Sequence, residues 1–168
     1  KISKIAAKLP NLNNFEAFKF DTKGWISMSL FTDGNIKSAK FDITAEKGEV
    51  VLDRYWPNGL NLSSGTIQGE FDGDTGTIEI EKFLANFGGP IISAKATILE
   101  FGASHTIDAR IALDSLQLSD SSKFWPLHVG EKSRRWLVKN IPAGELLDTK
   151  INLSLLINNA AETEKIVK

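Results

Sequence analysis

From Gly24 to about Leu118 the chain alternates apolar and polar residues with a period of two, and glycine with Asp or Asn interrupts the alternation at intervals. Successive side chains of a strand point to opposite faces, so this pattern predicts strands with one buried face. Ile26, Met28 and Leu30 share one face of the segment Gly24 to Phe31, with Ser27 and Ser29 on the other and Asp33-Gly34 as the turn. Ala39, Phe41, Ile43 and Ala45 alternate with Lys40, Asp42 and Thr44, and Lys47-Gly48 is expected to turn the chain into Glu49 to Leu52. A break is expected at Trp56-Pro57-Asn58-Gly59. Beyond it Leu60, Leu62, Gly65, Ile67, Gly69 and Phe71 run opposite Ser64, Thr66, Gln68 and Glu70 up to a turn at Asp72-Gly73-Asp74. Ile78 and Ile80, then Ile92, Ala94, Ala96 and Ile98, then Ile107, Ala109, Ile111 and Leu113 repeat the pattern, with Gly88-Gly89-Pro90 and Phe101-Gly102-Ala103 as separators. One strand about every 12 residues with hairpin turns points to an antiparallel meander rather than βαβ units.

The pattern changes at Phe124-Trp125-Pro126. Residues 130–140 lack alternation, which predicts a short helix with Trp136 and Leu137 facing inward, stopped by Pro142. Ile151, Leu153, Leu155 and Ile157 return to strand alternation, and the tail from Asn158 is expected to fray or form a short helix. Ahead of the meander, Ile2, Ile5, Ala6 and Leu9 before Pro10 read as the end of something helical. With Lys1 in place of an initiating Met, this gives the expectation of one module belonging to a longer protein. The expected class is mainly β: a long antiparallel meander forming a curved sheet, an open β-groove or a sandwich, with one short helix near 130–140. The expected division is a lead-in over 1–23, the meander over 24–118, a Trp-Pro, helix and strand segment over 119–157, and a tail over 158–168.

Composition narrows the function classes. Lys plus Arg number 20 against 21 for Asp plus Glu, so no global field draws the chain to nucleic acid. Cysteine is absent, which removes disulfides and thiolate chemistry. No apolar run approaches the roughly 18 residues of a membrane-spanning helix.

Residues that could carry chemistry read as ordinary structure. His105 and His128 stand apart, with no second ligand at a metal-binding spacing, so neither a metal nor a cofactor is expected. Asp72 and Asp74 around Gly73 suit a tight turn better than a calcium loop. Glu79 and Glu81 suit a solvated strand face better than a catalytic pair. Lys132, Arg134 and Arg135 form the compact basic cluster, suited to the solvent side of the predicted helix or to contact with anionic headgroups or a partner. Of the four tryptophans, Trp56 and Trp125 precede proline, which fits structural corners.

The run Phe124-Trp125-Pro126, then Arg134-Arg135-Trp136-Leu137, then Ile141-Pro142-Ala143-Gly144 resembles a recurring pattern of bacterial AsmA-like envelope proteins of the YhdP type. In that pattern Trp125, Pro126, Arg134, Trp136 and Gly144 are structural motif residues. The resemblance extends over about Gly24 to Ile157, where the strand ladder looks like the same family's. It implies a non-catalytic periplasmic module of an inner-membrane-anchored protein in Gram-negative bacteria. The implied role is in outer-membrane integrity and phospholipid transport between membranes. The implied partners are phospholipid or another acyl chain and neighbouring modules of the parent chain, with no nucleic acid. Ile26, Met28, Leu30, Phe41, Ile43, Ile67, Ile92 and Ile98 are the expected lipid-facing residues, and Lys132, Arg134 and Arg135 the expected headgroup or partner contacts.

Two other readings belong beside this one. The same alternation could supply a filled core in a purely structural or protein-binding β module, with edge strands recruiting neighbours. The tryptophans and the Glu79 and Glu81 pair could serve a glycan-binding or glycan-active protein if they shared a platform.

Overall fold

In the computed structural model the described residues are 18–53, 55–101, 104–158 and 165–166. The expectation of a helical segment over residues 2–9 lies outside them. The expected Phe101-Gly102-Ala103 separator is described only at Phe101, the last residue of a strand.

The alternating segments form strands β1 (Phe18–Leu30), β2 (Ile36–Leu52), β3 (Trp56–Leu62), β4 (Ser64–Asp72), β5 (Thr77–Asn86), β6 (Ile91–Phe101), β7 (Ser104–Gln117) and β8 (Glu145–Asn158). A two-residue strand β9 (Lys165–Ile166) pairs Leu155 and Leu156, where a frayed or helical tail was expected. All belong to one antiparallel sheet in the order β1-β2-β4-β5-β6-β7-β8-β9, with β3 also on β2. The predicted hairpin chemistry is present. At Asp33-Gly34 the Asn35 amide donates to Asp33 Oδ1 at 2.9 Å, and at Asp72-Gly73-Asp74 the Asp74 amide donates to Asp72 Oδ1 at 2.9 Å.

Several boundaries differ from the expectation. β1 begins at Phe18, inside the expected lead-in. Lys47-Gly48 is no turn: β2 runs straight through, and Phe20 pairs Gly48 while Thr22 pairs Ala45 across a bulge. Gly48 is needed because Phe20 crowds it; a Cβ there would meet the Cβ of Phe20 and the carbonyl of Lys19. Pro57 lies within β3, where the expected break takes the form of an irregularity: Pro57 to Gly59 stand opposite Val51 alone, between the pairs Val50 with Leu60 and Leu52 with Trp56.

Between β7 and β8 the chain leaves the sheet and returns, through a 3-10 turn (Leu118–Asp120), helix α1 (Ser121–Phe124) and helix α2 (Glu131–Asn140). Only α2 was expected. The Leu118 amide donates to the Gly144 carbonyl at 2.9 Å and closes the base of the excursion. Gly144 sits at φ +123°, a value that side-chain-bearing residues rarely adopt. The far end reaches β3 and the turn after β5. Leu127 N donates to Tyr55 O at 2.9 Å, Trp56 Nε1 to Phe124 O at 3.2 Å, and the Phe87 and Phe124 rings meet at 6.0 Å. Trp125 Nε1 donates to Val129 O at 2.7 Å, which fixes the loop into α2.

The buried core lies where this excursion meets the sheet. Leu60 is 3% exposed, and Leu62, Ala85, Leu118 and Ser121 are buried with it. Trp136 was expected to face inward with Leu137 but is 58% exposed, while Leu137 is half-buried. Arg134 takes the inward role: its Nη2 donates to the Ser122 carbonyl at 3.2 Å and ties α2 to α1.

Candidate functional site

Cross-strand partners in an antiparallel sheet lie on the same face, so the register assigns every side chain to a side. One row runs Met28, Ala39, Phe71, Ile78, Ile98, Ile107, Leu155 across seven strands. The next runs Ile26, Phe41, Gly69, Ile80, Ala96, Ala109, Leu153, and the third Gly24, Ile43, Ile67, Phe83, Ala94, Ile111, Ile151. A fourth, from Thr22 through Ala45, Gly65, Ala85, Ile92 and Leu113 to Thr149, ends toward the helical excursion. No charged residue interrupts these rows.

The opposite face is the reverse. Its rows read Ser27, Lys40, Glu70, Glu79, Thr97, Asp108, Ser154 and, two rows along, Lys23, Thr44, Thr66, Leu84, Ser93, Ala112, Lys150. It is held by polar pairs. Lys40 Nζ lies 2.9 Å from Glu70, Gln68 Nε2 donates to Asp42 at 2.9 Å, and Thr97 Oγ1 donates to Glu79 at 3.0 Å.

Among the described residues no second layer covers the middle of the apolar face, whose central side chains are half-buried and whose edges on β1 and β8 are exposed. The sheet is a single layer, and among the described residues the helical excursion packs on β3 instead of crossing the middle strands. Seven strands about 4.8 Å apart and four rows about 6.8 Å apart define an area on the order of 600 Å². That footprint is at the upper end of the roughly 300–600 Å² of the largest apolar patch on a typical monomer, a patch that is often functional. Its rims are the barest parts: Ile26 on β1 is 58% exposed and Ile151 on β8 is 46% exposed. Small residues lower the centre of the face. At Gly69 a Cβ would come within 2.9 Å of the Phe41 ring, so that ring lies over the glycine.

Seven of the expected lipid-facing residues, Ile26, Met28, Phe41, Ile43, Ile67, Ile92 and Ile98, fall on this face. Leu30, two residues past Met28, pairs Ile36 beyond a bulge at the strand end. The face also includes Phe71, Ile80, Ile111, Leu153 and Leu155, which the same alternation marks in the sequence, and Phe83, which is out of step with Ile78 and Ile80 and reaches the face through the bulge in β5. The expected basic contacts divide: Lys132 and Arg135 are exposed on α2, whereas Arg134 is engaged with Ser122.

The other candidates are dispersed. His128 Nδ1 lies 2.9 Å from Glu131 in the loop before α2, and His105 Nδ1 lies 3.7 Å from Glu100 at the far end of β6 and β7. No group of three or more His, Asp or Glu suited to a metal occurs among the described residues. Glu79 is occupied by Thr97, and Glu81 sits in a bulge of β5. Trp56 and Trp125 are tied into the excursion, while the exposed Trp25 and Trp136 stand on β1 and α2. No helix among the described residues is long and apolar enough to cross a membrane, which leaves strand-based spans untouched.

Comparison with known proteins adds no relative: no family model, no curated protein and no solved structure matches the chain.

Proposed function

We propose that this chain is a non-catalytic, lipid-handling β module of an AsmA-like periplasmic protein. On this reading the parent protein is anchored in the inner membrane and serves phospholipid movement toward the outer membrane. The apolar face is the surface that receives acyl chains. The observation that supports the reading is the uninterrupted apolar face of a single-layer sheet. Full burial of one Ile or Leu is worth about 1.5–3 kcal/mol, so an uncovered face of this size favours an apolar occupant. Acyl chains suit it because they need no polar partner, and the three rows led by Met28, Ile26 and Gly24 offer no polar side chain. The polar face stays in water meanwhile.

The test is lipid capture. Gently purified protein is expected to yield phospholipid by mass spectrometry and to shield a fluorescent lipid from a water-soluble quencher. Ile67→Asp places a carboxylate between Ile43 and Phe83 and should abolish shielding, with circular dichroism and the milder Ile67→Thr controlling for folding. Absence of lipid together with no shielding would end the proposal.

The long exposed edge of β1 favours a second reading, in which the module recruits neighbouring modules or proteins by strand pairing without contacting lipid. Folded protein that captures no lipid but forms edge-dependent complexes would support it.

A further inference from the structure

The polar face carries a local concentration of positive charge that lipid handling on the other face leaves unused. Its origin is a bulge in β5. Between the pairs Ile80 with Ala96 and Phe83 with Ala94, both Glu81 and Lys82 stand opposite Lys95 alone. Bulges of this kind re-aim side chains, and this one brings Lys82 toward Lys95. Lys95 in turn is directly opposite Arg110, a like-charge pair that weakens the β6 to β7 ladder. Arg110 is opposite Asn152, and Lys150 stands one step along β8. Ser93 and Ala112, opposite each other, are small. They leave a shallow, open depression of about 300 Å³ whose lining is mostly apolar surface and to which Glu81, Lys82, Lys95, Arg110, Lys150 and Asn152 contribute.

Four cationic residues and one carboxylate therefore contribute to one open hollow. Among the described residues, none of the four has an ion-pair partner, whereas Lys19, Lys23 and Lys40 elsewhere on the sheet each pair with a glutamate. We propose that this depression is a binding site for a compact anion of the phosphate class, such as a phosphate or pyrophosphate group. Arg110 offers paired donors to two oxygens, the lysines offer point charges, and the Asn152 amide adds a neutral donor. The volume suits a small ligand. A flat anionic membrane fits less well, because the adjacent row carries Glu70, Glu79 and Asp108 and would be pressed against it. The site stands or falls independently of the apolar face.

The experiment titrates the 168-residue chain with inorganic pyrophosphate at low ionic strength, by calorimetry and by backbone-amide NMR. Saturable binding is expected, with shifts centred on Lys82, Lys95, Arg110 and Lys150. Affinity should fall about tenfold in Lys95→Gln and in Arg110→Gln, since each removes one charge-assisted contact, and should hold in Lys40→Gln. Thermal unfolding gives a second reading. Lys95→Gln relieves the repulsion with Arg110, so it should melt no lower than the wild type without ligand, and at equal pyrophosphate it should show a smaller rise in Tm than the wild type. Absence of saturable binding, an equal loss in Lys40→Gln, or binding only to vesicles of phosphatidylglycerol in phosphatidylcholine would each overturn the site.

Discussion

Leu60 and Ile26 are both large aliphatic residues of the same sheet, yet the structure gives them opposite energetic roles. Leu60 is 3% exposed in the core beneath the helical excursion, so Leu60→Ala removes buried methyl groups and leaves a cavity, for about 2–5 kcal/mol. Ile26 is 58% exposed, so just over two-fifths of it is buried. Scaling the full-burial value of about 1.5–3 kcal/mol gives about 0.6–1.3 kcal/mol for the whole side chain. Ile26→Thr keeps the β-branch and one methyl, so it should cost well under about 1 kcal/mol. Ile151→Thr, at 46% exposed on the opposite rim, should behave the same way. Urea unfolding followed by far-ultraviolet circular dichroism measures all three, at two protein concentrations about tenfold apart to reveal association. With a domain's total stability typically about 5–15 kcal/mol, Leu60→Ala should be plainly separable from the rim variants. A loss of about 2 kcal/mol in Ile26→Thr or Ile151→Thr would refute the open face. Concentration dependence of that loss would identify a second copy as the cover.

Two further outcomes follow from particular contacts. Gly69→Val drives a side chain into the Glu79 carbonyl and the Phe41 ring, so it should lower stability by about 1–3 kcal/mol, read by urea midpoint, with the loss located to β4 and β5 by hydrogen exchange. Lys40 and Lys23 are held above the ordinary 10.5 by hydrogen bonds to Glu70 and Glu46, reinforced by the charge of those carboxylates. A raised folded-state value stabilises below the unfolded pKa and is lost as pH climbs through the folded one, so Lys40→Gln should flatten the fall in stability above about pH 10 and change its slope little below.

Within the regular stretches of residues 24–118 the alternation determined by itself which side chains share a face, because a strand's side-chain period is two, whereas across the β5 bulge only the pairing puts Phe83 on the face of Ile80. That is why Ile26, Met28, Phe41, Ile43, Ile67, Ile92 and Ile98 could be grouped before any register was known. The turns at Asp33-Gly34 and Asp72-Gly73-Asp74 were equally legible, since their chemistry is local. Lys47-Gly48 misled because glycine serves both turns and bulges, and only the pairing partner Phe20 distinguishes them. Trp136 misled because a helix of ten residues has too few turns for periodicity to define an inner face, and the contacts of Arg134 with Ser122 chose it. Whether the apolar face would be covered was beyond the sequence altogether. An apolar row reads the same in a sandwich and in an open sheet, and what separates them is where distant segments dock. Here the excursion between β7 and β8 settles on Tyr55, Trp56 and Phe87 at one end, and among the described residues no helix packs across the middle of the face.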